Sequence, residues 1–303
     1  METRLTGAKR SKLKTALMYT ILIAPALAIL GFTIFFPVLK SAYMSLFDVS
    51  LLDLNTMTWT GLSNFAEVLS DNKFFNALRL SNLYAFSVVS IELVLSFLLA
   101  LLLNAKLPGR RLFRTLQLLP WTIPTMVTAL VWMWIFQADY GVLNYILKQL
   151  GVITESIKWV SDVNFALISV MVVALWKQLP FMTIMLLSGM QSIPHELAEA
   201  ARIDGCREWQ VIRYITLPFL SGTIKSTVLV SIIDNFKMFP LFWIMTQGGP
   251  MDATTTLAVL TYQTSFVELD LGRGAAIGVL WTLELIVFTI AYNRIFKTAH
   301  ADE

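Results

Sequence analysis

Glu199-Ala200-Ala201-Arg202-Ile203-Asp204-Gly205, then nine residues, then Ile215-Thr216-Leu217-Pro218 form a polar interruption between two apolar stretches. Ser192 is placed to cap a helix whose first turn tolerates Pro194 and gains from the acidic Glu196. Gly205 supplies the left-handed residue that ends such a helix. Leu197, Ala200, Ala201 and Asp204 fall on one face, where small side chains let a partner approach closely. On helix physics alone the plainest reading is a cytoplasmic helical hairpin with no partner.

The surroundings of this stretch define its setting. Hydrophobic residues make up 56% of the 303-residue chain and charged residues 14%, with a mean hydropathy of +0.68. Ordinary soluble domains carry about 25% charged residues, so this is a membrane protein. A bilayer core needs about 20 apolar residues in a helix. Six segments meet that need: 16–36, 80–103, 116–136, 165–190, 219–246 and 274–296. Basic residues precede the first, and Ala24-Pro25-Ala26 offers small residues for cleavage. The apolar run outlasts a signal core, however, and reads as a retained helix.

With the N-terminus inside, most Lys and Arg fall in the inner segments, including Lys9, Arg10, Arg110, Arg111, Arg202, Arg207 and Arg294. That asymmetry places both termini and the loop at 192–218 in the cytoplasm. A net charge of +3 gives no reason to invoke nucleic acid. The single cysteine, Cys206, excludes a disulfide framework and a thiolate metal cluster.

The loop pattern E-A-A-x3-G-x9-I-x-L-P resembles that of permease subunits in binding-protein-dependent ABC importers. Gly61-Leu62-Ser63-Asn64-Phe65 and Gln247-Gly248-Gly249-Pro250 are similar to further segments of the carbohydrate-uptake branch. The resemblance implies an all-α polytopic protein of the type I ABC importer permease fold. Six transmembrane helices would fill 16–296, between cytoplasmic tails at 1–15 and 297–303. It also implies that Glu199, Ala200, Ala201, Asp204 and Gly205 belong to a coupling helix that docks on an ATPase.

No phosphate-binding G-x-x-x-x-G-K-[ST] stretch occurs, so ATP and magnesium would be bound by that partner and this chain needs no cofactor. His195-Glu196-Leu197-Ala198-Glu199 has Glu where a zinc-protease helix needs its second ligand. Gly272-Arg273-Gly274 lacks the third glycine of a dinucleotide fingerprint, since Ile277 stands there. The chain contains two histidines, neither within a span, so the acid–base groups of an enzyme are missing.

Ionisable residues inside spans need partners or water. Glu92 and Glu284 read as structural, bonded to neighbouring helices or to a sister subunit. Asp234 and Lys237 lie three apart on one helix face, beside Asn235, with Lys177 and Gln178 at similar depth on the fourth span. Pro120, Pro124, Pro180 and Pro240 interrupt the third, fourth and fifth spans nearby. Broken helices at membrane depth are tolerated where they face protein or a water-filled cavity, so a polar cavity is expected.

Resemblance to the maltose-type permease adds Trp121, Thr125, Phe181 and Met238 to the substrate contacts, with Gln178, Asp234 and Asn235. Ala174 and Met238 stand where that permease has amides, and Gln178 replaces a glycine, which argues against maltose itself. Lys177 and Lys237 against Asp234 leave a surplus positive charge. Either a carboxylate of the sister subunit pairs with it, or an acidic group on the solute does.

The implied function is ATP-driven import of a sugar or sugar-like solute across the cell inner membrane by alternating access. The implied partners are a second permease subunit, an ATPase dimer and an extracytoplasmic solute-binding protein. A proton-coupled secondary transporter and a non-transporting membrane assembly protein are the alternatives.

Overall fold

The computed structural model describes residues 18–105 and 108–296. The tails at 1–15 and 297–303, with the N-terminal basic cluster, lie outside the described residues. In chain order the elements are α1 (Met18–Met44), β1 (Phe47–Ser50), β2 (Asp53–Trp59), α2 (Ser63–Ser70) and α3 (Asn72–Asn104). Then come α4 (Arg110–Thr122), α5 (Thr125–Ile135), α6 (Val142–Gln149), α7 (Ala166–Gln191) and α8 (His195–Ile203). The last four are α9 (Glu208–Phe236), α10 (Pro240–Met245), α11 (Leu257–Val267) and α12 (Leu271–Ile295).

Five of these, α1, α3, α7, α9 and α12, are long and apolar enough to cross a membrane. The pair α4 and α5 makes a sixth span if counted together, but it bends by 95° at its break. Pro120 sits in the last turns of α4 and Pro124 caps α5. The missing N–H and fixed φ of proline explain why the helix parts there.

Two helix starts and the course of one helix through proline differ from the sequence expectation. Helix α3 begins at Asn72 rather than Leu80, because the Asp71 side chain accepts the Lys73 N–H and caps the helix. Helix α9 begins at Glu208 rather than Phe219. A wide π-type turn at Ile212–Thr216 carries the helix into Pro218 by giving the proline ring room that a normal turn lacks. Helix α7 continues through Pro180 instead of being interrupted by it. The Ser96 and Thr183 hydroxyls both donate to the carbonyl of Leu179, just before that proline.

The described residues form two compact units. One contains the chain up to Val68 together with Thr264–Val279. Here α1 leaves its apolar side chains exposed, and β1 and β2 pair antiparallel with Phe47 opposite Trp59. This hairpin departs from an all-helical reading. Its anchor is Asn64, whose buried amide donates to the carbonyls of Ser45 and Phe47, each at 2.9 Å. The Gly61–Phe65 segment therefore has a structural task.

The other unit holds Leu69–Gln263 and the chain from Leu280. Helices α3, α7 and α9 pack on one another, α4 packs on α7, and α5 packs on α10. Along α7, Val170, Val173 and Ala174 join one apolar cluster and Met182, Leu186 and Met190 another. Lys177 and Gln178 fall between them. Glu284 accepts a 2.7 Å bond from Asn82, so it is tied to a neighbouring helix.

Candidate functional site: a polar cavity and an exposed loop helix

A cavity of about 460 Å³ lies among α3, α4, α7 and α9. Its lining comprises Glu92 from α3, Trp121 from α4, Lys177, Gln178 and Phe181 from α7, and Ser231 and Asp234 from α9. Lys237 and Met238 complete it from the break between α9 and α10. Its size falls in the range of small-molecule sites, about 300–1,000 Å³.

Trp121 and Phe181 stack with centroids 6.0 Å apart and planes 23° apart, forming an aromatic wall. Lys237 pairs with Asp234 at 3.0 Å, and both side chains remain more than half exposed (56% and 58%). The Lys177 ammonium donates to the carbonyl of Ile123, at the break between α4 and α5. It forms no ion pair among the described residues. A cation at a helix C-terminus is favourable, because the last carbonyls there lack intrahelical partners.

Gln178 and Asn235 exchange both amide bonds, at 3.2 and 2.8 Å, and Asn235 also donates to the carbonyl of Ser231. At 2% exposure, Asn235 stands behind the wall and holds Gln178 in place. Thr125 begins α5 and does not line the cavity.

Glu92 and Ser231 do line it, and neither was among the sequence-derived contacts. Glu92 is 0% exposed, and neither carboxylate oxygen has a hydrogen-bond partner. Ser231 lies beside it on α9. Spacing could have located Ser231, since it sits on the same helical face as Asp234 and Met238.

The polar loop carries the second feature. Helix α8 has no buried residue, and Ile203 is 85% exposed. Its end is a Schellman motif: Gly205 adopts φ +86°, its N–H meets the carbonyl of Arg202, and the Cys206 N–H meets that of Ala201. Glu199, Ala200 and Asp204 are exposed and Ala201 is half-buried. Arg202 grips Glu208 with two bonds, at 2.7 and 3.2 Å. Ser192 does not cap α8 as expected; its hydroxyl donates back to Gly189 and closes α7, while Pro194 occupies the cap position.

Spanning helices, a polar cavity beside broken segments and an exposed loop helix define a polytopic helical permease. Residues 92–299 match the family described as binding-protein-dependent transport system inner membrane component, and the chain belongs to that family. It is 36% identical over 290 residues to the probable ABC transporter permease protein y4oQ of Sinorhizobium fredii, covering 95% of this chain and 91% of that protein. It is 33% identical over 297 residues to the trehalose/maltose transport system permease protein MalF of Thermococcus litoralis, covering 97% and 98%. A permease chain in a crystal structure of a bacterial ABC transporter that imports alginate superposes with a TM-score of 0.81. That match covers 96% of this chain and 98% of the other at 18% identity, and the shared fold is that of a type I ABC importer permease.

Proposed function

We propose that this chain is the permease subunit of an ATP-driven importer of a sugar or sugar-like solute. The observation that carries this reading is the cavity, where the stacked Trp121 and Phe181 lie beside hydrogen-bonding groups from broken helices. Aromatic faces pack against the C–H faces of sugar rings, while polar groups take the hydroxyls. The relative named for trehalose and maltose supports the same solute class. Gln178 and Met238, both in the lining, still distinguish this cavity from the maltose-type pattern.

The working complex contains a second permease subunit, two ATPase copies that bind ATP and magnesium, and an extracytoplasmic solute-binding protein. In the inner membrane, cytoplasmic termini put the loop at 192–218 on the ATPase side. Exposed Leu197, Ile203 and Trp209 give that loop an apolar docking surface. Closure of the ATPase dimer moves α8, and the cavity opens outward to receive solute; hydrolysis returns it inward. Glu199, Ala200, Ala201, Asp204 and Gly205 form the contact that couples the two.

The test is import into proteoliposomes by the assembled complex, with ATP hydrolysis followed in parallel. Sugar-loaded binding protein should stimulate both, and a protonophore should leave import unchanged. Proton-driven uptake by this chain alone would refute the reading.

A further inference from the structure

We infer that the solute carries an acidic group on its sugar ring and that Lys177 is the residue that receives it. The inference rests on the sugar reading above and narrows the solute class.

Of the charged residues in the lining, Lys177, Asp234 and Lys237 are accessible from the cavity. Asp234 and Lys237 answer each other at 3.0 Å. Among the described residues, Lys177 has no carboxylate within ion-pair reach and bonds to a single acceptor, the carbonyl of Ile123. An ammonium has three N–H donors, so two are left for a ligand. Glu92 offers no counter-charge at this surface, since it is 0% exposed and both its oxygens are enclosed. The surface a solute can touch presents one cation more than anion. Ionisable groups at membrane depth pair with an opposite charge, and charge-assisted hydrogen bonds are the stronger kind. An oxyanion on the solute supplies both.

Position then says where the acidic group lies on the solute. Phe181 follows Lys177 by four residues on α7, one helical turn along the same face, where Cβ atoms stand about 5–6 Å apart. The bond to Ile123 holds the ammonium two residues from Trp121, the other half of the aromatic wall. A ring packed on that wall sets its own carboxylate, sulfonate or phosphate beside the remaining N–H groups. A charge several sugar units away would miss them.

The test uses the whole complex with its binding protein in proteoliposomes. The probes are radiolabelled glucuronate, galacturonate and glucose 6-phosphate, compared with glucose, galactose, maltose and glucosamine. The wild type should import at least one acidic sugar. Lys177→Gln, which keeps a donor for Ile123 but loses the charge, should lower kcat/KM for that sugar at least about tenfold, the scale of one lost bond to a charged group. Uncharged sugars should lose less, and Lys177→Arg should keep most of the acidic import. A second measurement leaves the binding protein out. The acidic sugar should raise the thermal midpoint of the solubilised permease–ATPase complex above a sodium chloride control. That rise should persist in Lys177→Arg and vanish in Lys177→Gln.

Wild-type import of the acidic sugar by Lys177→Gln, or an undiminished midpoint rise, would overturn the inference. A fall equal for acidic and uncharged sugars would overturn it too, leaving Lys177 as a fastener of the break. A wild type that imports only uncharged sugars or glucosamine would overturn it with the sugar reading intact. A wild type that imports none of the probes would overturn the sugar reading itself.

Discussion

Replacing Gly205 with valine isolates one physical term. The residue sits at φ +86°, and no atom lies within 4 Å of the position its Cβ would take. The cost is therefore backbone strain, with no clash to relieve. An L-residue in the left-handed region costs about 1–2 kcal/mol, and a β-branched one is a genuine outlier there. That cost lowers the population of the capped loop by a factor of about 5–30. The neighbouring Arg202–Glu208 pair is bidentate, but its side chains are exposed, so its loss costs at most about 1 kcal/mol and less at high salt. The glycine, not the ion pair, dominates the geometry of this loop.

A graded series follows. Gly205→Asn should be nearly silent, Gly205→Ala intermediate and Gly205→Val worst, because asparagine tolerates the left-handed region. Hydrogen exchange at the Cys206 amide, which closes the motif on Ala201, reads the loop directly. Import and solute-stimulated ATP hydrolysis in the reconstituted complex read the consequence, with the amount of inserted protein as control. Wild-type import by Gly205→Val would refute the reasoning. Damage by Gly205→Asn equal to that by Gly205→Val would show that side-chain bulk against a partner matters instead.

Lys177→Met keeps the apolar stem but loses the bond to Ile123, and should destabilise the break between α4 and α5 by about 1.5–3 kcal/mol, seen as a lower thermal midpoint that Lys177→Arg partly restores. Gly248→Ala would place a Cβ 2.5 Å from Thr255 Oγ1 in a residue already at φ +92°, so it should cost about 1–3 kcal/mol in the same assay. At the start of β2, the Thr56 hydroxyl and then the Asn55 N–H hold the Asp53 carboxyl below its usual range. A depressed folded pKa contributes stability that is present above the unfolded value and lost as pH falls through the folded one. Exchange protection of the Asn55 amide should thus hold at neutral pH and fail below about pH 4, and Asp53→Asn should remove that acid step.

What the sequence disclosed about the loop helix and the cavity follows from what each residue encodes locally. Gly205 was legible because a left-handed cap is a demand on one backbone position, and glycine meets it without help. Ser192 was misleading for a related reason. Pro194 fixes its own φ and disfavours helix in Ile193, which takes the cap position away from the serine and turns its hydroxyl back toward Gly189. The hairpin gave no signal, since Leu51 and Leu52 occupy a turn where Asn-Gly or Asp-Gly would have announced it.

In the cavity, spacing placed Asp234, Asn235 and Lys237 at one depth, but it could not decide which way an amide points. Asn235 turned toward Gln178, a partner from another helix, and its position depends on how α7 and α9 pack. Glu92 shows the same limit from the other side. Its type demanded a polar setting at membrane depth, but only the meeting of α3 with α4, α7 and α9 puts it in the cavity wall. The 95° break has the same origin: Pro120 and Pro124 mark where the helix parts, while α4 packing on α7 and α5 packing on α10 set the angle. Lys177 then fastens the break through Ile123. Substrate recognition here is written in contacts between distant segments, and coupling in a motif that closes within a few residues.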